Sequence, residues 1–325
     1  AVLATEGNLN NDIGVPLMLL KLNLMQRVAV IEMGMNHPGE IAYLTGLAKP
    51  TVALVTNAQR AHLQGLESLA NVAREKGAIY AGLGANGIAI INADDAFAND
   101  WRELNRERQI VTFGLEASAD VSARFETHGW ETALHITTRQ AGLENLIEAT
   151  LKTPGLHNVR NALAATAAAL AVGATPAAVA SGLNAYRGFD GRLQIRSAIN
   201  GATLIDDSYN ANPDSARAAI DVLASCPGPT ALVLGDMGEV GERGPEFHAE
   251  VGRYAKEKGI NALLAFGSAS KQSVAVFGEG AKHFEDSNEI FSCLKNAKTI
   301  LVKGSRFMRM ERIVAELTGE EGMAH

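Results

Sequence analysis

Between residues 57 and 80 the chain reads "NAQRAHLQGLESLANVAREKGAIY", with a lone histidine, His62, closing an apolar run and a lone lysine, Lys76, inside a helical pattern. A third polar residue, Glu32, ends the apolar run "VAVIE" upstream. Taken singly these read as a core histidine, a solvated helix lysine and a satisfied buried acid. Acids and a histidine at consecutive strand ends also make an oxygen-rich donor set, which suits Mg²⁺ better than Zn²⁺. A protonated Lys76 would repel that cation. A desolvated lysine, however, has a lowered pKa, and its neutral amine can add CO₂ to give a carbamate, an anionic oxygen ligand resembling a glutamate on a long arm.

Other polar residues stand at the ends of apolar runs. "VALVTN" ends in Asn57, and "TLIDDSYNANPDS" presents Asp206, Asp207, Tyr209, Asn210 and Asn212. "ALVLGDMGEVG" presents Asp236 and Glu239, and "ILVKGSR" presents Lys303, Ser305 and Arg306. The ordinary reading of "NPDS" is a helix start with Pro213 in the first turn. Ligands of open parallel sheets bind at the carboxyl ends of strands, so these positions are the candidates for chemistry.

The elements that must carry them alternate. Strand-like runs at 27–34, 51–57, 87–95 and 109–114 are separated by helical patterns, which predicts a parallel sheet covered on both faces. From 119 to 153 the apolar residues alternate with polar ones around the turns "HGW" and "QAGLE", which predicts added antiparallel strands. An alanine-rich helix follows at 157–173, with Gly173 as its C-cap, and a second helix at about 176–185. Periodicity lapses in "YRGFDGRLQ" (186–194), and a new series of strands begins at 202–208, 230–237, 262–267 and 299–305. The expected fold class is therefore α/β with two doubly wound domains, covering residues 1–188 and 189–325.

The 325 residues are 47% hydrophobic and 20% charged, enough apolar material for two packed cores. A net charge of −7 lacks the basic footprint of a nucleic-acid binder, and no uninterrupted apolar segment is long enough to span a bilayer. Cys226 and Cys293 lie far apart and no secretory signal is present, so the cytoplasm is the expected compartment. A monomer acting on small molecules is the default expectation. The chain opens at Ala1 rather than Met, on what reads as the approach to a loop, and a preceding segment is expected.

With these motifs set out, "EGNLNNDIGVPLMLL" (6–20), "VIEMGMNHPGEIAYLT" (30–45), "TNAQRAHLQGLESLANVAREKG" (56–77), "TPGLHNVRNALAATAAAL" (153–170), "GRLQI" (191–195), "LIDDSYNANPDS" (204–215), "LGDMGEVGE" (234–242) and "ILVKGSRFMRME" (300–311) resemble the Mur ligases from Thr5 to about Leu317. The resemblance implies a central ATP-binding domain of P-loop-NTPase type with an added antiparallel sheet, and a Rossmann-like C-terminal domain. It implies an ATP-dependent amide ligase of peptidoglycan precursor synthesis that joins D-Ala-D-Ala to UDP-N-acetylmuramoyl-tripeptide through an acyl phosphate. Such catalysis is mostly positioning and charge neutralisation. By resemblance Glu32, His62 and a carbamylated Lys76 hold Mg²⁺, with two ions expected. Asn158 and Asn161 match adenine-binding positions, Asn161 the better of the two, and Arg192 matches a phosphate contact. Asp206 and Asp207 match the nucleotide-ribose position. Tyr209, Asn210 and Asn212 extend that loop toward nucleotide and incoming amine. Lys303, Ser305 and Arg306 match the acceptor and peptide region. Asn8, Asn10 and Asn11 match a loop facing the UDP-sugar, and Asn57 a further substrate contact.

Two features depart from the family pattern. Ala78 stands where a Glu is usual, two residues after the lysine. No Gly-rich loop ending in Gly-Lys-Thr or Gly-Lys-Ser occurs in the sequence, so the phosphate cradle is absent and the 325 residues alone are expected not to turn over. Two other readings stay open: a sister ligase adding a diamino acid or glutamates, and a non-catalytic nucleotide- or peptide-binding module.

Overall fold

The computed structural model describes residues 1–140, 143–285 and 289–320. The chain divides into two compact units, one of residues 1–151 and 158–186, the other of residues 152–157 and 187–325.

The first unit opens with β1 (Val2–Ala4), α1 (Gly14–Leu20) and β2 (Val28–Val30). There follow α2 (Glu40–Ala48), β3 (Val52–Val55), α3 (Leu63–Leu66), α4 (Leu69–Gly77), β4 (Ile88–Asn92), α5 (Ala98–Leu104) and β5 (Gln109–Phe113). The unit closes with β6 (Val121–His128), β7 (Glu131–Gln140), β8 (Leu143–Leu151), α6 (Leu156–Ala171) and α7 (Pro176–Ala185). Strands β3 to β8 form one six-stranded sheet in chain order. Its first three strands are parallel, β6 joins β5 in parallel through the Phe113–Val121 pair, and β7 and β8 run antiparallel. The antiparallel strands therefore continue the parallel sheet instead of forming a second one. Phe113 and Val121 are both buried at that seam, so a break there would expose apolar surface.

The run 27–34 is shorter as a strand than its apolar content suggests. Only Val28–Val30 pair, with β1, in a separate two-stranded parallel sheet. Glu32 therefore lies beyond the strand instead of at its end. Its amide donates to Thr5 Oγ1 at 2.8 Å, so a side chain takes the place of the next ladder bond. β1 leads directly into the loop that precedes α1.

Alanine richness in α6 is a packing device. Val159, Ala162, Leu163, Ala164 and Ala167 are buried against a core that includes Ile90, Leu134 and Ile136, and the small side chains let the helix lie close to the sheet. Gly173, past its end, has a left-handed φ of +85°, as the capping position requires.

The second unit contains β9 (Gln194–Ser197), β10 (Thr203–Asp207), α8 (Pro213–Ala224), β11 (Thr230–Leu234), α9 (Gly244–Glu257) and β12 (Ala262–Phe266). After these come α10 (Lys271–Phe277), β13 (Ala281–Phe284), α11 (Ile290–Leu294), β14 (Thr299–Lys303) and α12 (Glu311–Thr318). Its sheet has the order β13-β12-β11-β14-β10-β9, parallel except for β9. Every residue of β11 and β14 is buried, as expected of central strands covered on both faces. The chain steps outward from β11 through β12 to β13 and then returns to β14 on the other side of β11. That reversal puts a topological switch point between β11 and β14, the usual crevice for a ligand. The two loops leaving it are tightly apposed: a Cβ at Gly235 would stand 2.8 Å from Met310 Sδ and 3.4 Å from Gly304 Cα.

Candidate functional site

In the first unit Lys76 and Asn57 meet just past the carboxyl end of β3. Ser68 caps α4 by accepting the Asn71 amide at 3.2 Å, and Lys76 lies in the last turn, where a cation is favoured by the helix dipole. From there Lys76 Nζ donates to the Asn57 main-chain oxygen at 2.7 Å. The same short segment is held twice more: Asn92 Nδ2 donates to Thr56 O at 2.8 Å, and Asp95 Oδ2 accepts the Ala58 amide at 2.7 Å. Burial holds the Lys76 amine below the usual lysine range, and the charge of Asp95 partly opposes that shift. The amine carbamate chemistry needs is the neutral one, so this desolvated position fits that modification.

Glu32 and His62 stand on neighbouring segments. Glu32 is exposed, and its Oε1 accepts from Asn10 Nδ2 at 2.9 Å, while the Gly34 amide donates to Asn10 O at 2.8 Å. Its loop touches the helix that His62 opens: a Cβ at Gly65 of α3 would strike the Asn36 carbonyl. His62 is the N-cap of α3 at a left-handed φ of +58°, and its Nδ1 is buried. Such a conformation in a residue other than glycine costs of order 1–3 kcal/mol and is typical of residues held in place for function. Met35, Ile41, Leu66 and Val72 form the small core beneath these segments.

Among the described residues no group of three or more His, Cys, Asp or Glu is placed to hold a metal ion. A site built on Glu32 and His62 thus needs a further anionic ligand, and a carbamate on Lys76 is chemically suited to be that ligand. The donor set of carboxylate, imidazole and carbamate oxygen fits Mg²⁺.

Asn158 and Asn161 lie three residues apart on α6 and so share a face; Asn158 is half-buried and Asn161 exposed. Asn11 has a local task, its Oδ1 accepting the Ile13 and Gly14 amides at the start of α1. Asn8 O accepts the Asn10 amide at 2.8 Å, which bends this asparagine loop toward Glu32.

Several anchors of this region were not legible as site residues. Glu75, next to Lys76, is 9% exposed, and its carboxylate accepts the Gly39 amide at 2.9 Å and the Ile41 amide at 3.0 Å. It therefore pins α4 to the N-terminus of α2. Asp94 gathers the amides of Leu115, Glu116 and Ala117 at 2.7 to 3.0 Å and lies 4.0 Å from Arg160 of α6. The one available signal for Glu75 was its place beside Val72 and Ala73 on the buried side of α4.

In the second unit the register of adjacent strands pairs Asp207 of β10 with Lys303 of β14. Lys303 Nζ donates to Asp207 Oδ2 at 2.5 Å and to Asn210 O at 3.0 Å, with the lysine side chain 3% exposed and the aspartate 13%. Burial pushes the Asp207 carboxyl up, while Lys303 and the Leu193 amide pull it down. Asp206 is also pushed up by burial, against hydrogen bonds from the Ser208 amide and hydroxyl at 3.1 and 2.6 Å.

Ser305 ties three strand-end loops together. Its Oγ donates to Ala211 O at 3.0 Å and accepts the Gly238 amide at 2.7 Å, and its own amide donates to Asp236 O at 3.0 Å. Asp236 in turn accepts the Ser270 amide at 2.7 Å, and buried His248 accepts the Met237 amide at Nε2 at 2.9 Å. Asn212 and Ser215 form a capping box at the start of α8. Tyr209 is flanked by two guanidinium groups, Arg192 at 4.7 Å and Arg306 at 5.8 Å from the ring centre. Glu239 is exposed at the tip of the β11 loop, at a left-handed φ of +58°. A cavity of about 670 Å³ opens at the carboxyl ends of β12 and β13, lined by His283, Lys271 and Arg309 among others, and none of the sequence-predicted site residues lines it.

Comparison with known proteins places these features. Residues 1–169 match the Mur ligase middle domain, and residues 191–306 the Mur ligase glutamate ligase domain. The UDP-N-acetylmuramoyl-tripeptide–D-alanyl-D-alanine ligase of Escherichia coli (strain K12) is 42% identical over 325 residues, covering 97% of this chain and 70% of the relative. A crystal structure of MurF from Acinetobacter baumannii superposes with a TM-score of 0.90 at 34% identity, covering 98% of this chain and 70% of that one. The MurF ligase of Thermotoga maritima in complex with ADP does so with a TM-score of 0.84 at 25% identity, covering 98% and 74%.

Proposed function

The chain belongs to the Mur ligase family, and from that premise we propose that it adds D-Ala-D-Ala to UDP-N-acetylmuramoyl-tripeptide at the expense of ATP. The observation that carries this reading is the 42% identity to the D-alanyl-D-alanine ligase of E. coli over 97% of the chain. The two units, taken as 1–188 and 189–325, serve as the ATP-binding and C-terminal domains, in a cytoplasmic, monomeric enzyme. Among the described residues no helix is long and apolar enough to cross a membrane.

In the proposed mechanism the γ-phosphate of ATP passes to the terminal carboxylate of the tripeptide, and the amine of D-Ala-D-Ala attacks the resulting acyl phosphate with loss of phosphate. Glu32, His62 and carbamylated Lys76 would hold Mg²⁺, two ions in all, which neutralise phosphate and acyl oxygens when bound. Asn57 fixes Lys76 by accepting from it, and Asp95 and Asn92 keep that strand end in place. Asn158 and Asn161 offer amides to the adenine, Arg192 a guanidinium to the phosphates. Asp206, Asp207, Tyr209 and Asn210 form the nucleotide side of the second unit. Asn212, Lys303, Ser305 and Arg306 form its acceptor side, where Lys303 and Ser305 act by shaping the loops they bridge. Asn8, Asn10 and Asn11 present the UDP-sugar loop.

The absence of a Gly-Lys-Thr or Gly-Lys-Ser loop in the 325 residues favours a second reading, a nucleotide- or peptide-binding module without turnover. Phosphate release from ATP, UDP-muramoyl-tripeptide and D-Ala-D-Ala separates the two. Turnover is expected from a polypeptide in which residues 1–325 follow a segment bearing such a loop, and none from residues 1–325 alone. A loop-bearing form that binds ATP without hydrolysing it would favour the module.

A further inference from the structure

Tyr209 follows β10, and its ring lies within cation–π range of two arginines from different parts of the chain. Arg192 reaches it from the turn before β9. That turn is docked by two hydrogen bonds, the Tyr209 amide to Gly191 O at 3.0 Å and the Leu193 amide to Asp207 Oδ1 at 3.2 Å. The approach is close enough that a Cβ at Gly191, whose φ is +68°, would stand 3.0 Å from the Tyr209 nitrogen. Arg306 arrives from the loop after β14, which Ser305 fastens to the loops after β10 and β11. Both arginines thus come from segments fastened by backbone anchors, and both guanidinium groups lie within about 6 Å of the one ring centre.

An aromatic ring holds a guanidinium differently from a carboxylate. It fixes the plane of the group without cancelling its charge and leaves its N–H donors free for an anionic ligand. Among the described residues Arg192 has no ion pair within 4.0 Å, although its charge acts on Asp207, and Arg306 has one exposed pair, with Glu311 at 3.2 Å. The Tyr209 hydroxyl has no hydrogen-bond partner among the described residues, so the ring carries the interaction. Glu311 beside Arg306 and Asp207 near Arg192 offset part of the two charges, and the donors that remain face a ligand bringing negative charge.

We propose that Tyr209 is a positioning residue whose ring presents Arg192 and Arg306 as a paired cationic clamp for anionic ligands, the phosphate chain of the nucleotide at Arg192 and a carboxylate of the acceptor at Arg306. The proposal rests on the ligase reading for its ligands and on this geometry alone for the clamp.

The test uses a loop-bearing polypeptide that contains residues 1–325, with the variants Tyr209→Phe and Tyr209→Leu. Arginine Nε–Hε NMR signals, assigned with Arg192→Lys and Arg306→Lys, should be shifted upfield by the ring in the wild type and in Tyr209→Phe, and should return toward free-arginine positions in Tyr209→Leu. Calorimetric affinity for ADP should fall about fivefold in Tyr209→Leu and stay within about twofold in Tyr209→Phe. If Tyr209→Leu does not fold, Tyr209→pentafluorophenylalanine keeps the volume and reverses the ring's charge distribution, and the same affinity loss is expected. Unchanged arginine signals in Tyr209→Leu, or unchanged ADP affinity in either charge-altering variant, would overturn the clamp. Failure of the wild type to bind ADP would count against the ligase reading, and the arginine signals would still decide the clamp.

Discussion

Lys76 Nζ donates to the main-chain oxygen of Asn57 at 2.7 Å, so the last turn of α4 reaches back to the residues that follow β3. This lysine is desolvated and directed at a backbone carbonyl instead of reaching into solvent as a surface charge. Its folded-state pKa is lowered by burial, so the neutral form is reached at lower pH than for a free lysine.

Carbon-13 NMR of the chain in labelled bicarbonate should show a protein carbamate in the wild type and none in Lys76→Arg. The signal should grow as pH rises through the lowered pKa. In a loop-bearing active form Lys76→Ala should lose at least about 100-fold in turnover, the scale of removing one preorganised charge contact. A carbamate that persists in Lys76→Arg would assign the modification elsewhere.

Glu75 should matter through stability. Its carboxylate takes the Gly39 and Ile41 amides. Glu75→Ala leaves both without that acceptor and should cost about 1–3 kcal/mol, with Glu75→Gln costing less. Urea unfolding measures it, and a loss under about 0.5 kcal/mol would show that α4 does not depend on this anchor.

The buried pair in the second unit makes a sharper case. Asp207→Asn leaves the Lys303 ammonium, 3% exposed, without its counter-charge and should destabilise by about 3–5 kcal/mol. Adding Lys303→Met should recover most of that loss. Single and double variants with equal unfolding midpoints would mean the pair is energetically silent.

Asp206 gives a pH dependence of defined sign. Burial raises its folded pKa, so between the unfolded value near 3.9 and the raised folded value the native state binds more protons than the unfolded state. This contribution is full below the unfolded pKa and is lost as pH rises through the folded one. The stability of the wild type relative to Asp206→Asn should therefore increase as pH is lowered from 7 toward about 4. A pH-independent difference in urea unfolding would contradict it.

What the sequence made legible follows from burial. β3, β4, β5, β11, β12 and β14 are covered by packing and carry the continuous apolar runs that covered strands need, so their positions could be read directly. β1 is an apolar run of only three residues, and β9 and β13 are short, partly exposed strands that mix polar and apolar residues, so none of the three carries a strand signal of its own. The polar residues at strand ends were visible as types, but their partners were not. Nothing in linear spacing places Lys303 against Asp207, 96 residues away, because that contact comes from strand order and register. Glu75 is illegible for a related reason: an acid beside a lysine on a helix reads as solvated until the α2 amides that it caps are in place.

The most direct measurement of the central claim is acceptor choice. A loop-bearing polypeptide that contains residues 1–325 is supplied with ATP and UDP-N-acetylmuramoyl-tripeptide, and ADP formation is followed with D-Ala-D-Ala, meso-diaminopimelate or L-lysine as acceptor. The account predicts ADP formation and an extended nucleotide peptide with D-Ala-D-Ala alone. Turnover with a diamino acid and none with the dipeptide would contradict it.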